Sequence, residues 1–202
     1  MQERVRFHDH RIIPVKAVIF SAAMHVLALL LSLSLLCGAQ EHPTQSQVKA
    51  AYLFNFGKFV HWHPQPPGFA SFDICVLGRN PFGSALATTV AGERIDGKSI
   101  VVRNISTISD AARCQILFVS SSEEKRLKSI LGTTRQPNVL TVSDIPGFAQ
   151  RGGMIELVSQ EDRIRFEVNV AAVGDAGLAV SSELLKVAVK VIGDNQAKEM
   201  GK

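Results

Sequence analysis

Short apolar segments alternate with segments of helical spacing along most of the chain, and this alternation limits the available folds more than any other feature. Apolar runs at 72–77, 115–119 and 139–142 are typical of buried strands. Strands that alternate with helices predict a largely parallel sheet between helical layers. A later hairpin around 160–162 adds antiparallel strands. We therefore predict a single three-layer α/β domain with a mixed, mostly parallel sheet flanked by helices.

The helical segments have recognisable boundaries. Thr44 or Ser46 can cap the first helix, which should run to about His61. An Asn-Pro pair predicts a second helix over about 81–90. Residues 170–192 are predicted to be mainly helix, broken at a pair of nearby glycines.

The first 39 residues are expected to be an export signal outside the fold. Four basic residues precede an apolar run from Ala17 to Leu36, and Cys37-Gly38-Ala39 suits cleavage before Gln40. The run is long for a signal peptide, so a retained membrane anchor is one alternative and lipidation at Cys37 is another. The expected mature domain is 40–202, with a core at about 47–192.

Composition and motifs narrow the function classes. Without the expected leader the net charge falls from +4 to about +2, with no basic block, which argues against nucleic acid as a partner. No motif of a hydrolase, metalloprotease or thiol oxidoreductase is present, so we predict no catalytic residue, no metal and no cofactor. Residues 92–99 match the letters of a phosphate-binding loop. However, a helix precedes them and a β-branched run follows, which reverses the order that such a loop needs.

Two cysteines, Cys75 and Cys114, follow the expected cleavage site. Both lie in apolar strand-like runs, and an exported protein with two such cysteines is expected to join them in one disulfide. Two buried free thiols are the alternative. Closing so long a loop would stabilise the fold by about 3–4 kcal/mol.

Five aromatic rings fall within the first helix and the residues just after it. They are Tyr52, Phe54, Phe56, Phe59 and Trp62. One core-facing stripe covers little more than about 100° and cannot bury them all. Either the helix is buried on more than one side or some rings contact a partner. We assign Tyr52, Phe56 and Phe59 to the core, and predict that Phe54 and Trp62 bind a partner.

A segment rich in glycine follows the strand at 139–142. It contains Asp144, Phe148, Gly152 and Gly153. Ligands commonly bind beyond the carboxyl ends of parallel strands, so we predict that this loop binds a ligand or a partner. A turn that simply needs Gly and Pro is the alternative.

Taken in order, these segments resemble those of the YfiR-like family. The matching segments are 49–59, 74–78 with 81–83, 114–120 with 122–123, 140–144, 152–154 and 164–169. The resemblance spans about residues 47–190. It implies a periplasmic α/β protein that is often dimeric.

The resemblance implies regulation rather than catalysis. The family's best-known members restrain a membrane-bound diguanylate cyclase by binding its periplasmic part. An outer-membrane lipoprotein can sequester the inhibitor, and redox state tunes it, which links cyclic-di-GMP output and biofilm formation to envelope conditions. Cys75 and Cys114 match the family's disulfide pair, whereas a second pair that some members carry near Phe148 and Met154 is missing here.

The leading prediction is therefore a homodimeric periplasmic protein that inhibits such a cyclase by protein contact, with an outer-membrane lipoprotein as a further partner. The alternative is a periplasmic small-molecule-binding sensor component of another signalling system.

Overall fold

The computed structural model describes residues 42–62, 70–133 and 137–193. Contacts within the chain separate residues 1–42 from a unit that begins at Pro43, and the fold below is that of this second unit. The expected export signal at 1–39 lies outside the described residues, as do the prolines at 64, 66 and 67.

The described ranges contain ten strands, five α-helices and two 3-10 helices. The strands are β1 (Val60–His61), β2 (Ser71–Leu77), β3 (Arg94–Ile95), β4 (Lys98–Ile105), β5 (Ile116–Val119), β6 (Leu140–Ser143), β7 (Ile155–Gln160), β8 (Arg163–Asn169), β9 (Ala179–Val180) and β10 (Lys190–Ile192). The α-helices are α1 (Gln45–Phe59), α2 (Ala85–Val90), α3 (Leu127–Thr133), α4 (Val170–Asp175) and α5 (Ser182–Val187). The 3-10 helices are Ile108–Arg113 and Ser121–Arg126.

Eight of the strands form one sheet in the order β10-β8-β7-β6-β5-β2-β4-β3. Its centre, from β4 to β7, is parallel. β3 and β8 run antiparallel to their neighbours, and β10 runs parallel to β8. The short strands β1 and β9 form a separate antiparallel pair. The predicted mixed, mostly parallel sheet is confirmed.

The two faces of the sheet carry separate apolar clusters. In β2, Ile74 and Val76 belong to the cluster that includes residues of α1, α2, α4 and α5. Their neighbours Cys75 and Leu77 belong to the cluster that includes residues of α3 and the first 3-10 helix. Successive side chains of a strand point to opposite faces, so a strand covered on both sides must be apolar throughout. The predicted layers of helix, sheet and helix are thus confirmed.

The sheet curls around α1. The Phe56 ring lies 5.2 Å from that of Phe166 in β8, measured between centroids. The next residue, Gly57, packs against Ile95 of β3 and Phe72 of β2. Five strands separate β8 from β3 in the sheet order, so only a strongly curved sheet brings both edges to one helix turn. α1 is therefore buried on more than one side.

Local sequence explains how α1 begins and ends. Thr44 Oγ1 accepts a hydrogen bond from the Gln47 amide at 3.3 Å, and Gln47 Oε1 accepts one from the Thr44 amide at 2.7 Å. This reciprocal capping box satisfies two amides of the first turn, as the prediction of a Thr44 cap requires. The helix ends at Phe59, two residues before the predicted end, because β1 pairs with β9.

For residues 170–192 the predicted helix and its break near Gly174 and Gly177 are confirmed, but two short strands were missed. This stretch forms two short helices and two short strands. Asn169 and Ser181 each cap a new helix through the side chain, and Gly177, with φ at +71°, turns the chain between them. β10 then adds to the sheet beside β8. Elements this short leave too few residues for a period to be read.

Two further predictions had opposite outcomes: the start of the second helix was wrong, and the rejection of the phosphate loop was right. α2 begins at Ala85 rather than at 81, because Asn80 Oδ1 accepts from the Phe82 amide at 2.8 Å and forms a turn there. The rejected phosphate-loop match is confirmed as a chance one, since 98–105 forms a strand.

Candidate partner-binding surface

Two of the aromatic rings of α1 that were assigned to the core lie there. Phe56 is fully buried. Tyr52 is half-buried, with its ring 5.4 Å from that of Phe166 and its hydroxyl donating to the Ile164 carbonyl at 3.0 Å. Both rings therefore hold α1 against β8.

The assignment of Phe59 to the core was wrong. Its side chain is 39% exposed, because the buried stripe of α1 runs through Ala50, Leu53, Phe56 and Gly57. A glycine inside a helix costs about 1 kcal/mol relative to alanine, so its presence usually reports close packing. Gly57 was thus the sequence signal that could have placed the buried side correctly.

The predicted partner-binding rings are both half-buried. Phe54 lies at the flank of α1, and Lys58 Nζ sits 4.1 Å from its ring centroid in a cation–π contact. Trp62 packs edge-on against Phe72, with the centroids 5.2 Å apart. Its indole Nε1 is buried without a hydrogen-bond partner among the described residues. Trp62 is therefore tied more closely to the core than Phe54.

The outward side of α1 forms a small mixed surface. We name Phe54, Asn55, Lys58 and Phe59 the α1 outer face, since these residues occupy the side opposite the buried stripe. Two partly accessible aromatic rings flank one cation and one amide. Aromatic residues are enriched in protein interfaces, so this composition suits contact with another protein.

The loop after β6 is built as a rigid turn. Both carboxylate oxygens of buried Glu156 accept backbone hydrogen bonds, from Gly147 at 2.8 Å and from Ala149 at 3.0 Å. Phe148 is fully buried, and its ring fills the space that a side chain on Gly153 would need. This burial keeps Phe148 and Gly153 out of reach of a ligand or partner. The sequence prediction of a binding loop did not anticipate it.

The two other predicted loop residues lie in different surroundings. Asp144 Oδ2 accepts from Lys49 Nζ of α1 at 2.6 Å, which ties the loop to the first helix. Gly152 is exposed and borders an open groove of about 1000 Å³ between α3 and α4. Lys128, Arg151 and Asp175 supply charges to this groove.

A substitution pair tests the packing of this loop. Gly153→Ala should lower the free energy of unfolding by about 1–3 kcal/mol, because the new Cβ overlaps the buried Phe148 ring. Gly132→Ala in α3 is the matched control. Open space surrounds that position, so alanine should stabilise the helix by about 0.5–1 kcal/mol. Urea denaturation measures both changes, and equal stability of the two variants would contradict this account.

Cys75 and Cys114 are joined in a disulfide with their Cα atoms 5.9 Å apart. Cys75 lies in β2 opposite Leu117 of the adjacent parallel strand β5, and Cys114 caps the end of the first 3-10 helix, two residues before β5 begins. Both cysteines are buried, at 0% and 2% exposure. The bond thus crosslinks the centre of the sheet beneath the first 3-10 helix.

A model of the YfiR/HmsC-like family matches residues 46–189. The chain belongs to this family. In this YfiR/HmsC-like chain, the match covers the sheet from β2 to β8, α1 apart from its first residue, and both cysteines of the disulfide.

Comparisons of this family member with individual proteins give weaker matches. No curated protein matches the chain. A conserved domain protein from Vibrio cholerae O1 biovar eltor aligns at 11% identity and a TM-score of 0.48 over 73% of this chain. An ABC domain in complex with L-Trp from Streptococcus pneumonia aligns at 10% identity and 0.45 over 73%. The chain spans about 60% of the length of each, and at these TM-scores the likenesses say nothing of function.

In the part of this family member that the structure describes, no helix has the length and apolar character needed to cross a membrane. No group of three or more His, Cys, Asp or Glu side chains within residues 42–62, 70–133 and 137–193 is arranged to hold a metal ion.

Proposed function

We propose that the chain is a periplasmic regulator that inhibits a membrane-bound diguanylate cyclase by contacting the cyclase's periplasmic part. Membership of the YfiR/HmsC-like family supports a role in regulating such signalling. The buried disulfide suits an oxidising compartment such as the periplasm, which is reached through the proposed export signal at 1–39. Control of cyclic-di-GMP, and through it of biofilm formation, would follow.

The main support for inhibition by protein contact is the composition of the α1 outer face. Phe59 is well exposed although it is a large apolar side chain, and Phe54 lies partly accessible beside Lys58. Central aromatic anchors commonly contribute the largest share of the free energy of binding. The same face is a candidate for the homodimer contact and for sequestration by an outer-membrane lipoprotein. We place Phe54 ahead of Trp62 as an anchor, because the Trp62 ring packs on Phe72.

The test is the binding of Phe54→Ala and Phe59→Ala to the purified periplasmic part of a membrane-bound diguanylate cyclase from the same organism. Each variant should weaken binding by about 1 kcal/mol or more, roughly fivefold or more in Kd, with little change in melting temperature. Arg113→Ala, an exposed change on the other side of the sheet, is the control and should bind like the parent. Unchanged binding by both phenylalanine variants would refute the proposed face.

A second candidate function has one observation in its favour. The groove of about 1000 Å³ beside Gly152 is large enough for a small molecule and carries charges of both signs. A sensor that binds a small ligand there would serve another signalling system. Native mass spectrometry distinguishes the two functions, since a ligand retained on purification supports the sensor.

A further inference from the structure

One edge of the large sheet is only partly covered. β3 pairs with β4 at two positions, Ser99 and Lys98. Along the remaining six residues of β4, 100–105, the described parts of the chain provide no strand on the outer side. Native proteins usually protect such an edge with charges, bulges or a covering segment. Here the open stretch begins with three β-branched apolar residues, 100–102.

The direction of the backbone groups along this edge follows from two contacts. The Ile105 carbonyl accepts from the Gly78 amide, which follows β2, so the backbone groups of Ile105 face β2. Lys98 pairs with Ile95 across a two-residue turn, so its backbone groups face β3, on the outer side. Backbone groups of successive residues in a strand alternate in direction. Those of Ile100, Val102 and Asn104 therefore point outward, where no strand of the described residues pairs with them.

A groove of about 390 Å³ runs beside the same residues. Ala87, Val90 and Ala91 line one wall, and Ile100 and Val102 line the other. Both β4 side chains are half-buried against the cluster that holds α1 and α2. An open strand edge next to an apolar groove offers backbone hydrogen bonds and side-chain pockets together. This combination is what domains that bind peptides by strand addition provide.

A second copy of this chain fits the edge poorly. In an antiparallel pair of β4 strands about a two-fold axis, the register that pairs residues 101–105 of both copies and keeps both copies of β3 clear is centred on Arg103. The two Arg103 side chains would then lie directly opposite each other, which is destabilising for like charges. Arg103 cannot readily move away, because its Nε donates to buried Asp73 Oδ2 at 2.6 Å.

We propose that β4 accepts an extended segment of another protein as an added strand. The segment would pair with the outward backbone groups of Ile100, Val102 and Asn104. It would place apolar side chains at alternate positions in the groove and an acidic residue beside Arg103 on the opposite face. This inference goes beyond the proposed function and does not depend on it, since the α1 outer face and the β4 edge are different surfaces.

The probe is a synthetic peptide, acetyl-Thr-Val-Thr-Val-Glu-Val-amide, added to the oxidised protein purified from the cell envelope. Amide hydrogen exchange by NMR should show fast exchange at Ile100, Val102 and Asn104 in the free protein. The peptide should slow exchange at these three amides about tenfold or more. Fluorescence polarisation of a labelled peptide gives the affinity.

Two variants and one control complete the test. Val102→Pro removes an outward amide and should weaken peptide binding about tenfold, because a buried carbonyl of the peptide loses its donor. Ala87→Trp, on an exposed helix position, should fill the groove and weaken binding without changing β4. Val191→Pro removes an outward amide from β10 at the opposite edge and should bind like the parent.

Three results would overturn the proposal. The first is protection of the three amides without peptide at every protein concentration. The second is protection that rises with protein concentration, which would make the edge an interface between copies of this chain. The third is no peptide binding at millimolar concentration, or binding that Ala87→Trp leaves unchanged.

Discussion

Phe56→Ala should lower the free energy of unfolding by about 3–5 kcal/mol. The ring is fully buried, and it contacts the rings of Tyr52 and Phe166 at centroid distances of 5.8 and 5.2 Å. Truncation would remove these contacts and leave a cavity between α1 and β8, where the curled sheet cannot easily collapse. A loss of this size is a large part of the stability of a typical domain. Urea denaturation followed by circular dichroism measures it.

Phe59→Ala is the matched control on the same helix. The Phe59 side chain is substantially exposed, so its removal should change the free energy of unfolding by about 0.5 kcal/mol or less. A comparable loss in both variants would mean that the buried stripe of α1 lies elsewhere.

Removal of the disulfide should lower the free energy of unfolding by nearly as much as Phe56→Ala does. In the chain-entropy description, a crosslink between positions 39 residues apart stabilises the folded state by about 3–4 kcal/mol. The double variant Cys75→Ala/Cys114→Ala should lose this amount, together with a smaller packing term in the cluster around Leu77 and Leu117. Guanidinium denaturation of the oxidised parent and of the variant gives the difference.

Unfolding of the parent in the presence of a reductant separates the contribution of the crosslink to stability from the contribution of side-chain packing. The reduced parent should match the double variant within about 1 kcal/mol, because both lack the bond while only one lacks the sulfur atoms. Both cysteines are buried in the folded state, so reductant alone should act slowly until the structure opens. If the oxidised and reduced parents unfold at the same denaturant concentration, the disulfide contributes no stability.

The sequence was most informative where local chemistry decides the structure. Thr44 and Gln47 form the helix cap because their side chains reach the first-turn amides in any context. The central strands were visible because burial on both faces requires continuous apolar runs. At the late hairpin, Glu161 and Asp162 adopt the positive φ angles of a two-residue turn.

The failures in α1 and in the loop after β6 have a common physical cause in long-range contacts. Phe59 was assigned to the core because one flat apolar stripe was expected, whereas the curled sheet shifts the buried side of α1 toward Gly57. The ion pair of Lys49 with Asp144 joins residues 95 apart in sequence and leaves no local pattern. The role of Glu156 was also hidden, since an acid inside a strand normally indicates exposure rather than two backbone hydrogen bonds.

The curl of the sheet around α1 also affects the order of folding. α1 is near the start of the described chain, but Tyr52 and Phe56 pack on Phe166 in β8, more than 100 residues later. Contacts this distant in sequence close slowly, because a long loop must be ordered first. The first helix of the described chain therefore waits for β8 before its aromatic rings are covered. A chain that stops before that strand would keep those rings available to chaperones and to other incomplete chains.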